Sequence, residues 1–453
     1  MPDTVLWLRR DLRLDDHPAL QAAVEAADGA TVLPLFVLDP RLLQHAGAAR
    51  TAWLLRSLEA WQGTAGTDLV VRTGDPAEVV PQVARELGAR SVHVSADFGP
   101  FGSGRDTRVE ALLGEDQIAL VRSGSPYAVA PGRVLKSDAS PYAVFTPFSR
   151  AWREHGWRLP AGGPPPGLRW GTADGEPLPA EPAPAVDLRL PEVGERAAQA
   201  RWQHFLDQGL EGYAAGRERP DLDGTSQLSA HLKYGEIHPR TLLADLAARR
   251  GEGARVFGTE LAWREFYADV LWHTPSSAWG YLRPQYAQMR YDEPGELFEA
   301  WTAGRTGFPF VDAGMRQLLA TGWMHNRLRM VVASFLVKDL HLEWQHGARW
   351  FLDHLRDGDL ASNQHGWQWA AGSGTDASPY FRVFNPMTQG LKFDPDGDYV
   401  RRWVPELAHL DGRAAHEPWQ VLDGYLHGYP ERVVDHASER QESLDRYAEI
   451  KDR

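Results

Sequence analysis

The sequence predicts an α/β domain with a doubly wound, five-stranded parallel sheet over residues 1–155, then an all-α domain over 193–453. Three observations predict this. Five short β-rich runs alternate with helical runs in the first third of the chain, the pattern of a parallel sheet covered on both faces. Residues 156–192 are dominated by Pro, Gly and Ala (PAGGPPPGLRW, then EPLPAEPAPAVDLRLP), the composition of an extended linker without a core. After Glu192 the apolar residues recur at helical spacing and β-branched alternation is absent.

Val5–Leu8, Val32–Leu38, Leu69–Val71, Ser91–Val94 and Ala119–Val121 supply the strands. Pro18–Ala27, Arg50–Trp61 and Ala77–Leu87 supply helices between them. Ligands on such sheets sit beyond the carboxyl ends of the strands. No GxGxxG follows the first strand and no Walker loop occurs, so a dinucleotide in the usual position there is not expected. Gly102-Ser103-Gly104 reads as a loop, and Ser123–Pro147, with Pro126, Pro131, Pro141 and Pro147, as a turn-rich surface segment. In the second domain the spacing predicts helices over Glu195–Gln208, Pro239–Arg249, Gly258–Leu271, Glu296–Ala303, Val311–Thr321, Trp323–Leu340, Gly347–Leu355 and Asp396–Trp403.

The 453 residues carry 43% apolar and 24% charged side chains, ordinary for a globular chain, and no run approaches a membrane span. The opening MPDTVLWLRRDLRL lacks a secretory apolar core, so a cytoplasmic protein is expected. Zero cysteines exclude disulfides, thiol catalysis and thiolate metal sites. A net charge of −13 argues against indiscriminate nucleic-acid binding but leaves room for a local basic groove. Thirteen of the eighteen tryptophans follow residue 160, a surplus that suggests stacking on a flat ligand or electron traffic.

Four segments of the helical domain carry more polar specificity than a core needs. Tyr213–Ser229 ends in GTSQLS, hydroxyls at a helix start that suit a phosphate and equally suit an ordinary N-cap. Glu260 and Trp263 are three apart on one helical face, a carboxyl beside an indole. Ala313–Lys338 contains no acid, yet sets Asn326, Arg329 and Met330 along one stripe, where Arg329 needs a carboxylate partner. Asp357–Trp369 offers that partner in Asp357 and spaces Asp359 and Asn363 four apart, within reach of one ligand. Trp367 and Trp369 are two apart and cannot both face one pocket in the same way, while Trp344, 23 residues before Trp367, offers a path for an electron. No HExxH or comparable histidine spacing marks a metal site, and none is expected.

Together these segments resemble the photolyase/cryptochrome family over nearly the whole chain, most closely class I cyclobutane pyrimidine dimer photolyases. The resemblance rests on VLWLRRDLRLDDHPAL, GTSQLS, ELAWREFY, TGWMHNRLRMVVASFLVKDL, DGDLASN, GWQWAAGSGTDASPYFRVFNP and YVRRWVPEL, in that order. It implies an antenna-binding first domain and a helical domain holding a U-shaped FAD. By position, Tyr213, Thr225, Ser226, Gln227, Leu228, Ser229 and Phe257 would hold the FAD phosphates and nearby groups. Arg329 with Asp357, and Asp359, would flank the isoalloxazine and ribityl part, and Asn363 would face the reactive ring nitrogen.

The resemblance further implies repair of UV-damaged DNA. Excited, reduced FADH⁻ would pass an electron to a flipped-out cyclobutane dimer and regain it after ring opening. Glu260, Trp263, Asn326, Met330 and Trp369 would meet the dimer, and Arg217, Arg327, Arg382 and Gln389 the flanking phosphates. Trp367, Trp344 and, in place of a usual Trp, Tyr291 would form a photoreduction chain, with Tyr286 or Trp279 as alternatives to Tyr291. A second chromophore is implied near Arg9–Asp11, Phe36–Leu38 and Asp97–Arg105. The loop FGPFGSGRD lacks the positions that hold a folate in some relatives, which favours 8-hydroxy-5-deazaflavin over 5,10-methenyltetrahydrofolate. A monomer without an obligate protein partner or membrane attachment is expected. A photosensory cryptochrome is the competing class; Asn363 and the end of the chain soon after the last motif weigh against it.

Overall fold

The computed structural model describes residues 4–183, 187–375 and 381–451. Five strands, β1 (Thr4–Leu8), β2 (Val32–Leu38), β3 (Val70–Thr73), β4 (Ser91–Val94) and β5 (Ala119–Arg122), form one parallel sheet in the order β3-β2-β1-β4-β5. β1 is central and apolar along its length, because helices cover both sheet faces; Val5, Leu6, Trp7 and Leu8 are at most 1% exposed. The strand order reverses between β1 and β4, so the chain leaving β1 emerges at the switch point. There Arg9 pairs with Asp106 at 2.5 Å, while Arg10 reaches Asp359 of the helical domain at 2.7 Å.

Two expectations are corrected. Gly102-Ser103-Gly104 is not a loop; it lies inside the helix Pro100–Glu115. Pro100 pre-sets the first turn, and Gly102 sits so close to the Asp97 carboxylate that a Cβ would collide with it. Ser123–Pro147 does not simply run over the surface, since Tyr127, Val129 and Val134 are buried. Its amides are met by side chains of the helix Glu252–His273: Glu265 accepts from Ala128 N at 2.5 Å and Val129 N at 3.0 Å, and Asp269 from Gly132 N at 2.7 Å. Glu265 also accepts from Trp152 Nε1 at 2.5 Å, on the helix Phe145–His155 that packs alongside.

Glu265→Ala strands three donors, two of them in fully buried contacts, and is expected to cost roughly 3 kcal/mol in chemical denaturation. Burial, opposed by those hydrogen bonds, pushes the Glu265 carboxyl from 4.5 up to about 7. The native state therefore holds this proton more tightly than the unfolded chain does. Stability should fall as pH rises from about 4.5 to about 7, and Glu265→Gln should flatten that slope.

The Pro/Gly-rich stretch lies along the sheet domain. Trp170 bridges to Val32, its ring meets Trp61 at 5.5 Å, and Glu181 pairs with Arg56 at 2.7 Å. Residues 184–186 of this stretch lie outside the described residues. From residue 193 onward no strand occurs among the described residues. The core of the helical domain is the helix Asn326–Lys338, packed against Pro309–Thr321, Trp344–His354 and Leu360–Ala371. Gly322, at φ +64°, ends the Pro309–Thr321 helix. Three residues later His325 caps the next helix, its Nδ1 accepting from Arg327 N at 3.1 Å. Among the described residues no helix is long and apolar enough to cross a membrane.

Candidate functional site

A cavity of about 500 Å³ is walled by the loop 225–229, the helix Glu252–His273, the start of Asn326–Lys338 and the helix Leu360–Ala371. It brings together Tyr213, Arg217, Thr225, Ser226, Gln227, Leu228, Ser229, Phe257, Glu260 and Trp263 with Asn326, Arg329, Met330, Asp357, Asp359, Asn363, Trp367 and Trp369. Trp344, Tyr291, Arg327, Arg382 and Gln389 do not line it. The quoted motif GWQWAAGSGTDASPYFRVFNP runs through residues 376–380, which lie outside the described residues.

Helical spacing places Glu260 and Trp263 on one face. Phe145 stacks on Trp263 with ring centroids 3.6 Å apart and planes 7° apart, fixing the indole. Arg217 Nη1 donates to Glu260 Oε1 at 2.6 Å; burial nonetheless outweighs this charge and raises the Glu260 carboxyl. Asn326 is exposed, and its Nδ2 lies 4.0 Å from Met330 Sδ, one turn along the same helix.

Arg329 has the partner its position demands. Its Nη2 donates to Asp357 Oδ2 at 2.8 Å and its Nε to Met324 O at 2.8 Å. Burial alone would raise the Asp357 carboxyl, but the Arg329 guanidinium overcomes it and holds the group below the ordinary range. The Ser229 hydroxyl and the Arg356 guanidinium lower it further. Asp359 caps the helix Leu360–Ala371 through Ser362 N at 3.1 Å and pairs with Arg10. Both its oxygens are therefore engaged, and Arg10 and Lys233 hold its carboxyl far down against burial. Asn363 Nδ2 donates to Ala348 O at 3.0 Å and to Gln364 Oε1 at 2.7 Å, which sets the amide's orientation.

Trp367 is buried against Phe351 at 4.9 Å and Trp301 at 6.1 Å. Its ring lies over Gly347, where any Cβ would collide, three residues from Trp344 on the same helix. Beyond Trp344 the next ring is Tyr281, at 6.2 Å, and then Tyr291, 6.4 Å from Tyr281. Tyr281 was missed from sequence, since nothing in its loop spacing relates it to Trp344. Its hydroxyl donates to Glu343 Oε1 at 3.0 Å. Tyr286 stacks on Tyr447 instead, and Trp279 stands 46% exposed. Two of the four expected DNA-phosphate contacts, Arg217 and Arg327, both pair with Glu218, and Arg382 is exposed. Among the described residues no cluster of His, Asp and Glu could hold a metal ion.

The cavity thus joins hydroxyls and amides at 225–229, the buried Asp357 carboxylate paired with a partly exposed Arg329, and aromatic walls at Phe257, Phe351 and Trp367. Those donors suit a ligand with phosphates, hydroxyls and a flat ring, as FAD has. The description "DNA photolyase" matches residues 4–166, and "FAD binding domain of DNA photolyase" matches residues 257–449. A deoxyribodipyrimidine photo-lyase of Synechococcus sp. is 39% identical over 99% of this chain and 96% of its own length. This chain belongs to the DNA photolyase family. Among solved structures, a class III photolyase of Agrobacterium tumefaciens is 37% identical, with a TM-score of 0.91 over 100% of this chain and 98% of the other. A Synechocystis sp. cryptochrome is 27% identical, with a TM-score of 0.87 over 98% and 99%. The photolyase match accounts for both halves of the fold, and FAD is the cofactor of the helical one.

Proposed function

We propose that this chain is a light-driven carbon–carbon lyase that splits cyclobutane pyrimidine dimers in DNA. One observation carries the reading. The exposed Asn326 and the half-buried Trp263 and Trp369 share a cavity with the buried Asp357 and Trp367, so a base entering from solvent meets the flavin's end of the pocket. FAD, held by the residues around 225–229 with Arg329 and Asp357, would when bound and reduced supply the one-electron chemistry of the reaction.

The protein's part is binding, positioning and proton placement. Trp263 and Trp369 offer faces to a flipped-out dimer, which has lost base stacking and leaves the duplex at lower cost than an intact base. Glu260, whose carboxyl burial raises, is the group that can hold a proton against a pyrimidine carbonyl. Arg329 and Asp357 bind and orient the flavin's polar edge. Arg217 and Arg327 exchange Glu218 for DNA phosphates, which makes binding salt-sensitive.

For the first domain we keep 8-hydroxy-5-deazaflavin as the second chromophore, at the strand ends. Phe101 stands 41% exposed there and offers a face to a planar ring, while the Arg41 guanidinium 5.4 Å from it is paired with Asp39 at 2.7 Å and Asp75 at 2.8 Å. Light-dependent repair of a thymine dimer in an oligonucleotide, with a (6-4) lesion as control, tests the main reading. Repair of the dimer alone is expected; repair of only the (6-4) lesion, or of neither, overturns it. Trp263→Ala should weaken binding to the dimer-bearing strand by about 1–3 kcal/mol while leaving affinity for undamaged DNA nearly unchanged, as read by titration of both.

A further inference from the structure

We propose that this chain binds a phosphate-bearing anion at a second site, across the wall formed by Thr225, Gln227 and Trp323. Those three residues line both the flavin cavity and a second cavity of about 500 Å³. Arg189 of the linker, Asp223, His325, Arg356, Arg402 and Trp403 line the second cavity on its other sides.

Three of these side chains hold donors that meet no acceptor. His325 is 2% exposed, and because its Nδ1 accepts from Arg327 N at 3.1 Å, the ring proton sits on Nε2. That N–H has no partner. Arg356 is 3% exposed; its Nη1 donates to Thr321 O at 3.2 Å, and its Nε–H is unmet. The Nε1–H of Trp403 is unmet as well. Unmet donors of the same kind also occur away from this cavity, at Trp53, Trp61, Trp344 and Trp350, so it is the charge around the cavity that argues for a ligand.

The charge says which kind. Among the described residues none of Arg189, Arg356 and Arg402 stands in an ion pair, and Asp223, the acid among them, accepts from Gln227 Nε2 at 3.0 Å. Burial, against the pull of Asp357, lowers the Arg356 guanidinium to about 10. Three guanidinium groups with neutral N–H donors match a phosphate dianion better than a carboxylate. The space exceeds one phosphate, and Leu222 and Pro191 give it an apolar side, so an organic phosphomonoester fits it. Such a ligand ties the linker, through Arg189, to the loop that bounds the flavin cavity.

Calorimetric titration of the FAD-loaded full-length protein with inorganic phosphate, and separately with AMP, tests this in phosphate-free buffer. Saturable binding of at least one is expected. Arg189→Ala and Arg402→Ala, both at exposed positions, should each weaken it about tenfold, and Arg356→Leu more. Flavin absorbance shows that each variant is loaded and folded. Tighter binding of AMP assigns an organic phosphate, and equal binding assigns the free ion. No saturable heat with either probe, or binding that all three variants leave unchanged, overturns the proposal. Neither result depends on repair activity, so failure of the lyase reading remains separate.

Discussion

Arg329→Leu is expected to destabilise the protein by about 3 kcal/mol and to empty it of flavin. It takes from the buried Asp357 carboxylate its one ion-pair partner among the described residues and leaves it only Ser229 and the charge of Arg356. The Asp357 side chain is 1% exposed and Arg329 27%. That asymmetry decides which partner matters more. Asp357→Asn removes the deeply buried charge and leaves Arg329 with Met324 O and solvent, so it should cost less than Arg329→Leu. The double variant Arg329→Leu/Asp357→Asn should then recover part of the loss, since no orphaned charge remains. Denaturation midpoints without flavin, and the flavin-to-protein absorbance ratio on purification, read the two effects separately. An Arg329→Leu protein that unfolds at the native midpoint with full flavin would sink the idea that this pair anchors the site.

Local periodicity was legible and long-range pairing was not. The helical rows of Glu252–His273 and Asn326–Lys338 show in the sequence because burial imposes a repeat on neighbouring residues. That repeat alone puts Glu260 beside Trp263 and Asn326 beside Met330. It cannot show that the Ser123–Pro147 amides find Glu265 more than a hundred residues away, so turn composition was read as exposure. It cannot show the Asp97 carboxylate that makes Gly102 a helix residue. Asp359 illustrates the same limit. Its spacing from Asn363 fits their place in one cavity, but cannot show that its two oxygens also serve a helix start and Arg10 of the sheet domain. The family motifs name residues far apart in sequence, most of which line one cavity, because motifs carry the long-range pairing that spacing omits.

Tyr281 belongs with those unseen pairings, and it changes what a photoreduction experiment should look like. In FAD-loaded protein, Trp367→Phe is expected to slow light-driven reduction of the oxidised flavin at least about tenfold. Phenylalanine is harder to oxidise than tryptophan, and each ~1.4 kcal/mol added to that step removes a factor of ten. Tyr281→Phe should leave the first charge separation intact but abolish a tyrosyl signal in transient absorption. Its ring follows Trp344 at 6.2 Å, and its hydroxyl has Glu343 to receive the proton at 3.0 Å. A tyrosyl signal that survives Tyr281→Phe and disappears in Tyr291→Phe would assign the terminus to Tyr291 alone. Neither substitution should change dimer repair by enzyme reduced chemically beforehand. The repair cycle returns its electron and needs none from the aromatic path, so loss of repair in pre-reduced Trp367→Phe would show that this ring acts on the lesion side as well.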